Sequence, residues 1–157
     1  MSTWLPALML FSNHGNDWDI YLEAIYDAFC TDFLDSPPTF QGTRLGLKRH
    51  PVSRGKEATF WHFTSEGKIE EERLPDFRRC ERIRWPRPVI ESDGTDEPLK
   101  IWEEIRNNET RVHIWAEESE YLVVLAKRNG YILPWTGYPV VRDHEKTKLQ
   151  KRWERNR

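Results

Sequence analysis

The sequence is short of cysteine and has no long apolar run, and both shortages exclude classes of protein. Its two cysteines, Cys30 and Cys80, stand in no recognisable motif, so neither a disulfide scaffold nor a zinc module is indicated. Reduced thiols suit the cytosol, and we expect a cytoplasmic protein. No stretch approaches the ~20 consecutive apolar residues of a membrane helix, so no membrane partner is expected. The apolar segment from Trp4 to Phe11 has no basic flank or cleavage site, which predicts buried structure instead of a signal peptide.

The common cofactor and hydrolase motifs are missing as well. The chain has no H-E-x-x-H, no paired C-x-x-C and no D-x-D with an obvious partner. Neither G-x-G-x-x-G nor G-x-S-x-G is present. We therefore expect no metal and no other cofactor, and the enzyme classes that depend on these motifs lose support.

Aromatic side chains, in contrast, are plentiful: 8 Trp, 5 Tyr and 7 Phe in 157 residues. This length fits a single domain over residues 1–157. Because aromatic rings bury large areas, a chain this short can still build a core. Some of the rings would instead be available to stack on nucleic-acid bases.

The charge is distributed unevenly although the net charge is only −2. Residues 1–43 hold no Lys or Arg, residues 44–87 have a net charge of +5, residues 88–141 of −5, and residues 142–157 of +4. Two basic segments on a mildly acidic body are compatible with a phosphate-binding cleft. Ordinary surface charge is the alternative interpretation.

Local patterns in the first half predict helices with irregular connections. Apolar residues at helical spacing predict a helix over Asp17–Leu34, capped by Asn16 or Asp17. Residues 39–57 look irregular and basic, whereas aromatic and β-branched residues predict a strand over Thr59–Thr64. We expect an acidic turn at residues 70–72. A helix within residues 75–83 would turn Phe77, Cys80 and Ile83 inward.

The second half predicts a sheet. Pro86 and Pro88 favour extended chain, and Pro98 is expected to open a short helix through Ile101, Trp102 and Ile105. Strands are predicted at Arg111–Glu117, Tyr121–Arg128 and Tyr131–Val141, with a hairpin at Asn129-Gly130. Asp143–Arg157 predicts a basic helix with Leu149 and Trp153 facing inward. The fold class is therefore α+β: N-terminal helices packed on a C-terminal antiparallel meander of about four strands, with a basic C-terminal helix.

Few residues remain that could carry chemistry. His62 lies between two aromatic residues and is either a structural or a catalytic histidine. Arg78, Glu81 and Arg82 share a helix face and are either a surface ion-pair cluster or part of a site. Taken together, His62 and this cluster point to one kind of reaction. RNA cleavage without metal needs a base for the ribose 2′-OH, an acid for the leaving 5′-oxygen, and cations for the phosphorane. A histidine and a glutamate flanked by arginines supply all three.

The same motifs resemble a known group of proteins. The stretch Glu109–Val140, with its VVL core, its hairpin and the motif Trp135-Thr136-Gly137-Tyr138, resembles the terminal sheet of the barnase–EndoU–colicin–RelE ribonucleases, and most closely their phage-encoded members. Upstream, Phe60-Trp61-His62 and Arg78–Ile83 resemble the H…R-x-x-E-R elements of that group. The basic segment Lys148–Lys151 is similar to its ending.

This resemblance implies an RNA substrate on the exposed sheet face and metal-free transesterification to a 2′,3′-cyclic phosphate. The catalytic residues it implies are His62, Arg78, Glu81, Arg82, Lys127 and Thr136. The substrate-binding residues it implies are Trp61, Arg79, Arg128, Trp135 and Tyr138. It also suggests an antitoxin or immunity-type inhibitor as a partner.

The sequence departs from the group's pattern at two positions. Pro134 interrupts the last strand, which predicts an edge strand or a bulge, and Gly137 stands where alanine is expected. Two other functions remain open. One is a non-catalytic nucleic-acid or protein binding module on the same fold, of phage or mobile-element origin. The other is a structural or regulatory protein, or an enzyme of another class.

Overall fold

A computed structural model describes residues 4–67 and 73–157 of the chain. The helices are α1 (Trp18–Phe29), α2 (Ala58–Thr64), α3 (Phe77–Glu81), α4 (Pro86–Glu91) and α5 (Asp143–Asn156). The strands are β1 (Thr39–Phe40), β2 (Thr43–Arg44), β3 (Ser65–Glu66), β4 (Leu74–Pro75), β5 (Lys100–Arg106), β6 (Glu109–Ala116), β7 (Tyr121–Arg128) and β8 (Tyr131–Pro139). The acidic turn expected at residues 70–72 lies outside the described residues.

The C-terminal half is an antiparallel meander in which neighbours in sequence are neighbours in space, in the order β5-β6-β7-β8. The predicted α+β fold is confirmed, and so are its three predicted strands and the hairpin at Asn129-Gly130. A second two-residue turn, Asn107-Asn108, joins β5 to β6 with φ of 49° and 63°. Asparagine tolerates this left-handed conformation, which matches the twist of a hairpin.

The prediction of a short helix after Pro98 is wrong, because that segment is strand β5. Trp102 pairs with His113 of β6, and the two rings stack with centroids 5.0 Å apart and planes 6° apart. Ile101 lies on the opposite face of the sheet, against the core to which α1 and α2 contribute, while Ile105 is exposed. This alternation is the period of a strand.

Two further local predictions are wrong, because both segments are helices and not extended chain. Residues 59–64 form most of helix α2 rather than a strand, since Phe60 and Phe63 lie on one helical face and contact the Phe29 ring at 5.4 and 6.4 Å. Tertiary packing here overrides β propensity. The stretch predicted to be extended is helix α4, in which Pro86 takes a first-turn position that needs no N–H donor.

The helical layer covers one face of the sheet. Helix α1 is capped by Asp17, whose carboxylate accepts from the Ile20 N–H at 3.1 Å, as predicted. The chain continues beyond α1 as a π-helical turn over Cys30–Asp35. Cys80 and Ile83 are buried as predicted, whereas Phe77 is 40% exposed. The segment Trp4–Phe11, predicted to be buried, is only partly so: Trp4, Leu5, Met9 and Phe11 pack against this core, whereas Leu10 is 36% exposed. Met9 donates its N–H to the Glu81 carbonyl.

Helix α5 covers part of the opposite face. Leu149 is buried there, Trp153 packs beside it, and both inward contacts were predicted. Arg152 donates from Nε to Glu104 Oε2 at 2.7 Å and so ties the helix to β5. The sheet therefore has helices on both faces.

Strand β8 contains a bulge at the point where the proline interrupts it. Thr136 pairs with Val124 and Pro134 pairs with Leu125, so Trp135 is an extra residue opposite no partner. β8 is also an edge strand of this sheet. Both features tolerate a residue without an N–H donor. A bulge also re-aims the side chains around it, and here it directs Trp135 toward α2.

The structure leaves no room for an alanine side chain at Gly137. A Cβ atom there would lie 2.7 Å from the Tyr121 hydroxyl oxygen and 3.3 Å from the Tyr121 Cζ. We expect Gly137→Ala to lower the free energy of unfolding by about 1–3 kcal/mol through overpacking. Urea denaturation measures this effect. In the Tyr121→Phe variant, which lacks the oxygen, the same substitution should cost less; an equal cost in both backgrounds would show that the close contact is not its cause.

Candidate functional site

A polar cavity of about 290 Å³ opens where α2, α3 and β8 meet. We call it the site cavity. Residues from four separate parts of the chain line it: His62, Glu66, Gly67, Arg73, Arg79, Trp135 and Thr136. Four of these, His62, Arg79, Trp135 and Thr136, are among the residues predicted from the sequence.

His62 is held in the last turn of α2. The residue is 6% exposed, and its ring meets the Trp135 ring edge to face with centroids 5.0 Å apart. Its backbone carbonyl accepts from Thr136 Oγ1 at 2.9 Å and from Arg79 at 3.2 Å. The imidazole therefore projects from a backbone that β8 and α3 both fix.

Arg79 connects the walls of the site cavity. Its Nη1 donates to the carbonyls of His62 and Ser65, and reaches Thr136 Oγ1 at 3.3 Å. Nε lies 3.3 Å from Asp76 Oδ2, and the guanidinium stands 4.9 Å over the Tyr138 ring. A guanidinium held at this many points is pre-organised, so it can meet an anion without rearranging.

Thr136 contacts the backbone of His62, because its hydroxyl group donates a hydrogen bond to the His62 carbonyl. This places it as a positioning residue for His62. Tyr138, below Arg79, has its pKa raised by burial, and the nearby Arg79 and Arg152 only partly offset this. Its phenol therefore stays protonated at neutral pH.

Three lining residues, Glu66, Gly67 and Arg73, were not predicted from the sequence, and two of them carry charged side chains. Glu66 follows α2, four residues after His62, and is exposed at the cavity. Arg73 donates from Nε to Ser65 Oγ at 2.9 Å and from Nη1 to the Gly67 carbonyl at 2.8 Å. The spacing H-x-x-x-E at the end of a helix is a signal that could have identified Glu66, whereas only the basic charge of residues 44–87 points to Arg73.

Glu81 lies apart from the site cavity. Its carboxylate pairs with Arg78 at 3.3 Å and Arg82 at 3.5 Å. It follows Arg79 by two residues, which is about 200° around a helix, so the two side chains leave α3 in nearly opposite directions. The predicted Arg78–Glu81–Arg82 cluster thus exists as an ion-pair group, and it is not among the residues that line the site cavity with His62.

The cations at the end of β7 are not among the residues that line the site cavity. Lys127 pairs with Glu103 at 3.1 Å. Arg128 pairs with Glu109, and its guanidinium lies 5.9 Å from the Trp135 ring. Arg111, which was not predicted, lies closer, at 4.2 Å from the same ring. Trp135 therefore separates His62 from a pair of arginines on the sheet.

Another buried histidine, His113, has a different character. Its Nε2 lies 3.0 Å from Arg152, and burial, with that guanidinium, lowers its pKa to about 4. The ring is neutral at neutral pH and stacks on Trp102. These contacts anchor α5 to the sheet.

Across residues 4–67 and 73–157, no three His, Cys, Asp or Glu side chains are grouped so that they could hold a metal ion. No helix within these ranges is long and apolar enough to cross a membrane. A scan against protein-family models, a search of curated proteins and a search of solved structures each find no match to this chain. Function is therefore inferred from the site itself.

Proposed function

We propose that the protein is a metal-independent endoribonuclease that cleaves RNA by attack of the 2′-OH to leave a 2′,3′-cyclic phosphate. One observation carries this proposal. A histidine and a glutamate, His62 and Glu66, line the same cavity as two arginines, Arg73 and Arg79. This is the set of groups that the reaction needs.

The reaction requires two proton transfers, and the two side chains divide them. One of His62 and Glu66 removes the proton of the 2′-OH as its oxygen bonds to phosphorus. The other gives a proton to the 5′-oxygen as the P–O5′ bond breaks. The products are a 2′,3′-cyclic phosphate and a free 5′-OH. A neutral histidine can accept a proton and its conjugate acid can donate one, so His62 suits either role.

The arginines supply the electrostatic part. Both come from the basic segment 44–87, while the other basic segment, 142–157, forms mainly α5. Charge develops on the non-bridging phosphate oxygens in the transition state, and fixed guanidinium groups stabilise it best when they need not move. The contacts of Arg73 and Arg79 to backbone carbonyls provide this fixation.

The proposal is tested by incubating the protein with labelled total RNA in excess EDTA and mapping the new ends. We expect cleavage that leaves 2′,3′-cyclic phosphate and 5′-OH ends. An oligonucleotide with a single 2′-deoxy sugar at a mapped site should resist cleavage there. The His62→Ala variant, purified in parallel, controls for a copurifying nuclease and should leave the RNA intact. Ends bearing 5′-phosphate, or equal cleavage by the variant, would contradict the proposal.

A non-catalytic nucleic-acid or protein binding module is the second candidate. It is favoured by the near-complete burial of His62, since a residue that is only 6% exposed offers little surface to a substrate. In that case RNA would bind with a steep dependence on salt, because each arginine contact releases counterions, and no cleavage would follow.

We also propose a partner. A ribonuclease that is active in a cytosol requires control of its activity, and an inhibitor of the antitoxin or immunity type would provide it.

A further inference from the structure

A second, larger cavity adjoins the site cavity, with a volume of about 680 Å³. It lies between helix α2, the loop at residues 51–54 and strand β4. Arg73 lines both cavities. We propose that this second cavity binds the base of the nucleotide whose phosphate lies in the site cavity. This inference rests on the proposed ribonuclease function and adds to it a place where the RNA base is recognised.

The two cavities differ in the way that the two ends of a nucleotide differ. The smaller one is lined by His62, Glu66 and the two arginines, groups suited to phosphate and to proton transfer. Indole rings and apolar side chains form much of the wall of the larger one, including Trp18, Trp61 and Leu74. A flat base with apolar faces and polar edges matches such a wall. The volume is also within the range of sites that enclose small organic ligands.

The aromatic walls are fixed in place before any ligand arrives. Trp61 donates from Nε1 to the Ser53 carbonyl at 3.0 Å, and its ring meets Phe60 at 5.1 Å. Trp18 contacts Phe77 and Tyr21, with centroids 5.8 and 6.1 Å apart. Rings that are held this way lose little freedom on binding, so stacking on them is less costly than stacking on mobile side chains.

Apolar side chains remain exposed beside these walls. Leu74 is 69% and Val52 51% exposed, and both line the second cavity. Arg54 lies beside Val52 and also lines this cavity, with an exposed side chain that can donate hydrogen bonds to the edge of a base. Stacking walls together with a hydrogen-bonding edge are the two parts of base recognition in single-stranded RNA.

The test uses the whole chain and measures binding without cleavage. Isothermal titration calorimetry in EDTA would compare four nucleoside 3′-monophosphates with inorganic phosphate. We expect the wild type to bind at least one mononucleotide more tightly than phosphate. Trp61→Leu should weaken that binding by about 5- to 100-fold, as loss of stacking on one base predicts. Its affinity for phosphate should stay within about twofold of the wild type.

Further variants keep the inference testable if Trp61→Leu does not fold. Trp61→Phe retains a stacking face and should keep most of the mononucleotide affinity. Val52→Ala combined with Leu74→Ala alters only exposed side chains and should weaken mononucleotide binding severalfold. Trp153→Leu, which changes a tryptophan on α5 that lines neither cavity, should leave it unchanged.

The outcomes separate this inference from the proposed function. Trp61-dependent mononucleotide binding without any RNA cleavage would support base binding in the second cavity and overturn the proposed ribonuclease activity. The opposite result would be RNA cleavage together with a mononucleotide affinity that equals the phosphate affinity or does not change in Trp61→Leu. It would overturn base binding in the second cavity and leave the proposed ribonuclease activity in place.

Discussion

Glu66→Gln is expected to lower kcat for RNA cleavage by about 10²–10⁴-fold, whereas Glu81→Gln should leave kcat within about threefold of the wild type. Glu66 lines the site cavity with His62. The Glu81 carboxylate instead pairs with Arg78 and Arg82 on another side of α3. Glutamine keeps the shape of either side chain but cannot transfer a proton as a carboxylate does. Single-turnover cleavage of a defined oligonucleotide at saturating protein measures the difference.

The Glu81→Gln variant is informative beyond its role as a control. It removes the carboxylate shared by two arginines, and we expect the free energy of unfolding to fall by about 1–3 kcal/mol. Its effect should therefore appear in stability and not in kcat. The reverse pattern, with full activity in Glu66→Gln and a large loss of kcat in a stable Glu81→Gln protein, would mean that the His62–Glu81 pair inferred from the sequence is the catalytic one.

Arg79→Lys is expected to lower kcat/KM by about 10²–10³-fold even though the positive charge is kept. The guanidinium contacts two backbone carbonyls, Asp76 and the Tyr138 ring at the same time. A lysine ammonium is a single compact donor and cannot reproduce this planar arrangement. Both the fixed charge at the cavity and the link between α2, α3 and β8 would be lost.

The neighbouring arginine supplies a matched comparison for this substitution. Arg78 belongs to the same helix, its side chain is 68% exposed, and it forms an ion pair with Glu81 at 3.3 Å. Arg78→Lys should change kcat/KM by less than about twofold and stability by less than about 0.5 kcal/mol. Thermal unfolding of both variants would show whether Arg79→Lys loses activity at a temperature where it remains folded. A fully active Arg79→Lys protein would show that its contacts are structural only.

The sheet was predictable because its signals are local. Strands β7 and β8 have strand-like composition on both sides of an Asn-Gly turn, and such a pair needs no distant contact to be recognised. Strand β5 was missed because Ile101, Trp102 and Ile105 also fit the spacing of a helix. Helix α2 was missed for the opposite reason, since its residues favour a strand and its helical form goes with tertiary packing that includes rings of α1 and of the turn that follows it.

The site was predictable only where sequence motifs marked its residues. His62, Arg79, Trp135 and Thr136 stand in such motifs, and the structure brings them together. The carboxylate was assigned to Glu81 because arginines flank it in the sequence, but the turn of α3 sends Arg79 and Glu81 in different directions. Arg73 carries no motif. Its place in the cavity depends on how β3, β4 and the end of α2 meet, and no local pattern encodes that meeting.

The bulge in β8 also limits how another protein can attach to this one. A regular edge strand offers a row of free N–H and C=O groups onto which a foreign strand can add. Here Pro134 has no N–H, Trp135 breaks the ladder, and the Ile132 carbonyl is already taken by the Gly46 N–H at 2.8 Å. Self-association through this edge is thereby discouraged. An inhibitor that approached from this edge would have to recognise side chains, and its affinity there would depend on charge and shape more than on backbone pairing.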